Sequence, residues 1–122
     1  MRASRNNTGA KITNLSTSLT SQSGVEVSGV AANTGVAISD VTTVNHASFG
    51  IFLGGPTAGA KITDVGVISS GDTGLVAFDT TGIKLTNVVA AGNADGLFFN
   101  ANAGVGQRIH AGANLDTGIV FF

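Results

Sequence analysis

The sequence predicts an all-β solenoid in which the chain winds through about five coils of one design. First, glycines recur in pairs 14 or 15 residues apart, from Gly9 and Gly24 to Gly104 and Gly118. Second, a strand-like alternation of apolar and polar residues follows the glycines. Third, the first glycines lie 22–26 residues apart. Units this short cannot each bury a face alone, so they must stack to form a common core.

The first glycine of each coil opens a predicted strand. The four clearest segments are GAKITNL at 9–15, GVAISDV at 35–41, GAKITDV at 59–65 and GIKLTNV at 82–88. The first and third positions after the glycine are apolar, which is the period-two alternation of a half-buried strand. The fifth unit, GVGQRIHAG, keeps its glycines but is predicted to lose this register.

A turn-forming residue stands five positions after the first glycine in four coils. These residues are Asn14, Asp40, Asp64 and Asn87. Equivalent residues of stacked coils lie about 4.8 Å apart, so we predict a structural ladder of amides and carboxylates. The alternative is that Asp40 and Asp64 form a carboxylate pair, because retaining glycosidases use a separation of about 5 Å.

The second glycine of each coil opens another predicted strand, with alternate apolar positions facing inward. The positions between them should face outward and form an apolar stripe: Phe52, Val76, Phe78, Phe98, Val120 and Phe122. Monomers rarely expose apolar patches larger than a few hundred Å². The stripe therefore predicts an interface between copies, with a trimer favoured. The alternative is that the strand phase is reversed and these side chains belong to the core.

Two recurring strand patterns, G-[AVI]-x-[IL]-[ST]-[ND]-[LV] and G-[VIL]-x-[VLAF], cover residues 9–122. The chain therefore resembles the right-handed parallel β-helix superfamily, which includes pectate-lyase-like enzymes, polygalacturonases and phage tailspikes. The resemblance implies a right-handed parallel β-helix domain of about five coils over 9–122. The polar segment 1–8 is predicted to cap its N-terminal end. The resemblance implies no single function, since such coils serve catalysts, adhesins and virion parts alike.

Composition excludes several classes of protein. The chain has no cysteine, which excludes a disulfide framework and a thiolate metal site. Its net charge of −1 gives no electrostatic footprint for nucleic acid or an anionic membrane. The residues after Met1 include no apolar segment of the kind that a secretory signal needs.

Motifs for catalysis are weak. Polygalacturonase-like enzymes carry NTD, DD, GHG and RIK motifs, whereas this chain has NAD at 93–95 and RIH at 108–110, with neither DD nor GHG. Asp72, Asp95 and Asp116 lie just before second glycines and are predicted to be turn residues. The alternative for these three is a weak calcium or glycan site.

The two histidines are predicted to be turn or surface residues. His46 and His110 show neither HxxxH nor HExxH spacing, so nothing supports a zinc site. No nucleophile elbow and no phosphate-binding loop occurs in the sequence. We therefore expect no metal and no cofactor.

We expect a non-enzymatic structural protein that acts as an oligomer, specifically a phage virion component such as a capsid decoration protein. Only 11% of residues are charged, which fits a surface that other copies cover. The expected partners are further copies and a capsid or other virion protein, with neither nucleic acid nor membrane. The expected location is the virion, assembled in host cytoplasm, or else the extracellular surface. The alternatives are a polysaccharide-binding or polysaccharide-cleaving domain, and a fragment or design of a longer solenoid.

Overall fold

A computed structural model describes residues 1–4, 8–28 and 33–121, with their side chains except those of 3, 4, 101–103 and 121. These residues form eleven strands: β1 Arg2–Ser4, β2 Lys11–Ser18, β3 Val25–Ser28, β4 Asn33–Thr34, β5 Ala37–Val44, β6 Ile51–Gly54, β7 Thr57–Ala58, β8 Lys61–Ile68, β9 Thr73–Ala91, β10 Asp95–Gly112 and β11 Ile119–Phe121. The pairings between these strands are parallel. The chain is thus a parallel β-solenoid of about four turns, which confirms the predicted class and lies close to the predicted five coils.

The strands make three faces of one continuous sheet. Face I contains β2, β5, β8 and the C-terminal parts of β9 and β10. Face II contains β1, β3, β6, the N-terminal parts of β9 and β10, and β11. The narrow face III contains β4, β7 and the middle parts of β9 and β10. Strands β9 and β10 are long because each continues around two corners, from face II through face III to face I.

The predicted N-terminal cap takes part in the pairing. Strand β1 lies within segment 1–8 and pairs in parallel with β3 on face II. Thr8 forms a parallel bridge with Thr34 beside face III. Residues 5–7 of that segment lie outside the described residues.

The interior is an aliphatic column built from the inward positions of faces I and II. On face I, Ile12, Ile38 and Ile62 stack in register and are at most 3% exposed. On face II, the inward residues include Leu97 and Phe99, which are 1% and 0% exposed. The predicted phase of both strands is therefore confirmed, and the reversed phase is wrong.

The two glycines of a pair have different physical roles. The first glycines of four coils, Gly9, Gly35, Gly59 and Gly82, have φ between +62° and +66°, a conformation that other residues rarely adopt. The second glycines instead allow close packing. A Cβ on Gly74, for example, would lie 2.7 Å from the carbonyl oxygen of the next second glycine and 2.7 Å from an amide nitrogen inside the corner.

The fifth coil keeps its backbone pairing, but its glycine-based register is shifted, in agreement with the predicted loss of that register. Gly104 pairs with Ile83, Gly106 with Leu85 and Ile109 with Val88. The register shifts lie earlier, between residues 100 and 104. Because of these shifts, Gly104 takes an inward strand position rather than the turn position of a first glycine.

Candidate functional site

Face II carries a row of phenylalanine rings on its outer side. The ring centroids of Phe49 and Phe52 are 5.3 Å apart, and those of Phe52 and Phe78 are 6.1 Å apart. Phe78 and Phe98 follow at 5.5 Å. These separations are typical of favourable aromatic pairs. The four residues form the continuous feature that we call the aromatic row.

The predicted apolar stripe agrees with the aromatic row in most, but not all, of its residues. Phe78 is 37% exposed, whereas Phe52, Phe98 and Val120 are half-buried. Val76 is only 2% exposed, so its predicted contribution to exposed surface is wrong. The physical reason is its place between larger side chains, because it pairs with Phe52 below and Phe98 above. Phe122 lies outside the described residues.

Sequence reasoning missed Phe49, which stands just before the second glycine of its coil. It lies outside the strand alternation from which the stripe was predicted. Its ring nevertheless stacks on Phe52 with an interplanar angle of 22°. The usable signal was its spacing of three residues from Phe52, across a glycine that leaves room for a bend.

One end of face II is charged. Arg2, Glu26 and Phe52 follow one another in register on the outer side. The Nε atom of Arg2 lies 3.2 Å from Oε1 of Glu26, and the hydroxyl of Ser28 donates to the same oxygen at 2.9 Å. The Arg2 side chain is 67% exposed and that of Glu26 is 21% exposed. The outer side of face II therefore begins with an ion pair and continues as an apolar surface.

The predicted turn ladder is present on the surface of face I, within strands β2, β5, β8 and β9. Asn14, Asp40, Asp64 and Asn87 are all exposed and have φ between +52° and +55°. Asn and Asp tolerate this left-handed conformation better than most residues. Nδ2 of Asn87 donates to Oδ1 of Asp64 at 2.6 Å, so the hydrogen bond described for Asp64 comes from an amide rather than from Asp40. Arg108 extends the ladder with φ +52° and was missed because of the shifted register.

A stack of polar side chains lies inside the corner between faces I and II. We call it the corner stack; its members are Thr20, His46, Ser70, Asn93 and Asn114. Each member follows a residue with positive φ. The left-handed residue turns the chain, and the next side chain then points into the corner.

His46 belongs to this stack and lies in the turn between β5 and β6, as one of the two predicted alternatives has it. It is only 2% exposed, so the other alternative, a surface histidine, is wrong. Its Nδ1 lies 2.7 Å from the hydroxyl oxygen of Thr20. Its Nε2 lies 3.2 Å from the carbonyl oxygen of Thr17 and 3.1 Å from the hydroxyl oxygen of that residue. The ring fills the space opposite Gly24, where a Cβ would lie 2.6 Å from Nε2. His46 therefore joins the first coil to the second.

Asn93, the first residue of the NAD segment, is fully buried in the corner stack. Its Oδ1 accepts a hydrogen bond from the backbone N–H of Ser70 at 2.8 Å. Its Nδ2 donates to the carbonyl of Val67 at 3.3 Å and to Oδ1 of Asn114 at 3.2 Å. With its amide used in this way, Asn93 is a structural residue.

The aspartates near the second glycines have structural partners. Oδ1 of Asp72 accepts from the backbone N–H of Thr73 at 2.9 Å. Oδ1 of Asp95 accepts from both the backbone N–H and the hydroxyl of Thr117. Asp116 is exposed. In the part of the chain that the structure describes, no three His, Cys, Asp or Glu residues are grouped so that they could hold a metal ion.

A cavity of about 260 Å³ lies at the C-terminal end of the column. Its lining residues are Ile83, Leu85, Leu97, Gly104, Val105, Gly106, Ile109 and Ile119. The cavity exists because Gly104 and Gly106 stand at inward positions that Ile83 and Leu85 fill in the preceding coil. None of these described lining residues has an ionisable or hydrogen-bonding side chain, so they offer no group for chemistry.

The fold and this surface define a class of protein: a parallel β-solenoid with an aromatic row outside and a stack of polar side chains in one corner. Searches of protein-family models, curated proteins and solved structures found no match to the chain. Over residues 1–4, 8–28 and 33–121, the chain forms no helix of the length and apolarity needed to cross a membrane.

Proposed function

We propose that this solenoid is a non-enzymatic structural protein that associates with further copies of itself through the aromatic row. The observation that carries the proposal is the continuity of Phe49, Phe52, Phe78 and Phe98 on an outer face. Burial of apolar surface stabilises by about 25 cal/mol per Å². The rings add rigid, preordered contact area at little conformational cost.

The chemistry of the carboxylates supports a structural role. Asp64 bonds to Asn87, Asp72 bonds to Thr73, and Asp95 bonds to Thr117. Each of these side chains therefore fixes a turn or joins two coils. A general acid or base would need a side chain free to face a substrate.

The proposal in its finer form is a homotrimer in a phage virion, where it decorates the capsid and binds a capsid protein. A threefold arrangement would bring face II of each copy to the axis and cover the aromatic row. The small charged fraction, 11% of residues, suits a surface that neighbouring proteins cover. The resemblance of the strand patterns to β-helix proteins that include phage tailspikes supports the virion assignment.

Paired substitutions at two equally exposed apolar positions test the proposal. Phe78 on face II is 37% exposed and Ile68 on face I is 40% exposed. We expect the unmodified chain to sediment as an oligomer at micromolar concentration. Phe78→Ser should sediment as a monomer, and Ile68→Ser should remain an oligomer. Circular dichroism would confirm that both variants keep their β structure.

Two outcomes would overturn the proposal. An unmodified chain that is monomeric at micromolar concentration would remove the basis for a structural oligomer. Dissociation by Ile68→Ser, with Phe78→Ser still oligomeric, would move the interface to face I.

A further inference from the structure

We propose that the copies associate in parallel, with their charged ends at the same level, so that Arg2 of one copy meets Glu26 of the next. This inference rests on the proposed function, because it requires face II to be the interface. It adds the orientation of the partner copy and the residues that set it.

The inference begins from the polarity of face II along the solenoid axis. Its outer side carries Arg2 and Glu26 at the first two levels, then Phe52, and ends at Phe98 and Val120. Among the described outward positions of the face II strands, the charged side chains are thus Arg2 and Glu26 at one end, whereas the exposed Asp72 and Asp79 stand outside this outward row. The two ends of the interface are chemically distinct.

The ion pair at this end does not use all the hydrogen-bonding capacity of its two side chains. The bonds described for Glu26 go to Oε1, from Arg2 Nε and from the Ser28 hydroxyl. Within the described residues, Oε2 of Glu26 and the two terminal guanidinium nitrogens of Arg2 make no further bond. A guanidinium presents five N–H donors and can bind two carboxylates. Arg2 therefore has donors left for a carboxylate of a neighbouring copy.

Parallel and antiparallel arrangements differ in what these charges meet. A rotation axis along the solenoid places equal levels of all copies side by side, so Arg2 of one copy can lie beside Glu26 of the next. An antiparallel pair places Arg2 and Glu26 against the apolar end at Val120, and partial desolvation of charges without new partners is unfavourable. Charge complementarity commonly fixes the register of an interface in this way. In the parallel arrangement, charged residues meet charged residues at one end of face II and apolar residues meet apolar residues at the other.

Charge reversal in separate chains tests the orientation. Arg2→Glu gives a chain with two acidic side chains at the charged end, and Glu26→Arg gives one with two basic side chains. We expect each variant alone to raise the dissociation constant of the oligomer about tenfold or more, because like charges would meet. A mixture of the two variants should restore part of the affinity, since opposite charges would then meet at two of the three contacts of a mixed trimer.

A matched control uses charges on the other side of the molecule. Lys61 and Asp40 are both exposed. Lys61 lies on face I, and Asp40 belongs to the turn ladder of that face. Lys61→Glu, Asp40→Arg and their mixture should associate like the unmodified chain. A similar loss in these controls would mean that net charge, rather than contact between Arg2 and Glu26, governs association, and would overturn the inference.

Cysteine cross-linking gives a second readout, because the chain has no cysteine of its own. Ser28 lies on β3, near the charged end. Asn100, which pairs with Phe78, lies on β10, three strands farther along face II. Strands are about 4.8 Å apart, so these two levels are too distant for one disulfide. In parallel copies, Ser28→Cys and Asn100→Cys should each cross-link to themselves and not to each other.

The outcomes separate this inference from the proposed function. Cross-links only between Ser28→Cys and Asn100→Cys chains, or mixtures that fail to restore affinity, would overturn the parallel orientation while self-association through face II stands. Unchanged affinity in Arg2→Glu and in Glu26→Arg would do the same. A chain that sediments as a monomer before any substitution would overturn both.

Discussion

The fourth and fifth coils share one backbone pairing but differ in how they close the core. In the fourth coil, Ile83 and Leu85 are 2% and 4% exposed. In the fifth, Gly104 and Gly106 occupy the paired positions and leave a cavity of about 260 Å³. Ile119, in the inward row of face II, is consequently 44% exposed. Strand pairing alone therefore does not exclude solvent from the core of a solenoid. Whether the core is closed depends on the side chains at a few inward positions.

This difference predicts an uneven distribution of stability. In repeat proteins each unit contacts only its neighbours, and stability is approximately a sum of unit and interface contributions. An interior coil packs against two neighbours, whereas the last described coil packs against one. Matched substitutions in the two regions should therefore lower the free energy of unfolding by different amounts. Each such pair tests whether the last coil is packed less tightly than an interior coil.

The largest difference is expected between two second glycines. A Cβ on Gly50 would lie 2.7 Å from the carbonyl oxygen of Gly74 and would overlap the Val67 side chain. A Cβ on Gly118 would meet its nearest atom, a carbonyl oxygen, only at 3.3 Å. We expect Gly50→Ala to cost about 3 kcal/mol or more and Gly118→Ala about 1 kcal/mol or less. Urea unfolding measures both, and equal costs would show that the last coil is as tightly packed as the second.

The next difference concerns two isoleucines in one inward row of face II. Ile51 is fully buried, whereas Ile119 is 44% exposed. Ile51→Ala should lower the free energy of unfolding by about 2–5 kcal/mol, the range for buried large-to-small changes. Ile119→Ala should lower it by about 1 kcal/mol or less. A large loss from Ile119→Ala would indicate that other copies cover this end under the conditions of the measurement, which a dilution series would reveal.

The corner stack offers a polar version of the same test. Asn93 is fully buried and bonds to Ser70 and Val67, whereas Asn114 is half-buried and donates to the carbonyl of Ala90. Asn93→Ala should cost about 2–3 kcal/mol, because it leaves a buried N–H and a buried carbonyl without their partner. Asn114→Ala removes the acceptor of the Asn93 backbone N–H and Nδ2 as well as the donor to Ala90, but water can reach its half-buried site, so it should cost less, about 1–2 kcal/mol. Equal losses of stability for the two variants in thermal unfolding would contradict the inference that the last coil is packed less tightly than the interior coils.

The regular part of the fold was predictable because two local requirements recur in the sequence. A left-handed turn needs glycine, and a half-buried strand alternates apolar and polar residues. Both requirements are visible around Gly35 and Ile38, and both are met in the structure. The inward phase of Leu97 and Phe99 followed from the same alternation.

The remaining features depend on contacts between coils, which spacing does not encode. The register shift before Gly104 converts an apparent turn glycine into an inward position. The departure of GVGQRIHAG from the strand pattern indicates a loss of register, but it does not indicate where Gly104 pairs. The burial of His46 depends on a hydroxyl 26 residues earlier and on the space that Gly24 leaves. Phe49 joins the aromatic row through a bend before its glycine rather than through the strand pattern.

The smallest expected effect concerns the turn ladder in the fifth coil. Arg108 has φ +52°, at a position where the first four coils carry Asn or Asp. Arg108→Asn should raise the free energy of unfolding by about 0.5 kcal/mol, because Asn reaches the left-handed region at lower cost than Arg. Gln107→Asn, at the exposed neighbouring position, is the matched control and should bring no such gain. The strain at Arg108 lies in the backbone turn rather than in the core, so this gain should be independent of the cavity. It should therefore persist in a chain that also carries Ile119→Ala. A gain that disappears in the double variant would mean that the backbone turn and the open core of the fifth coil are coupled.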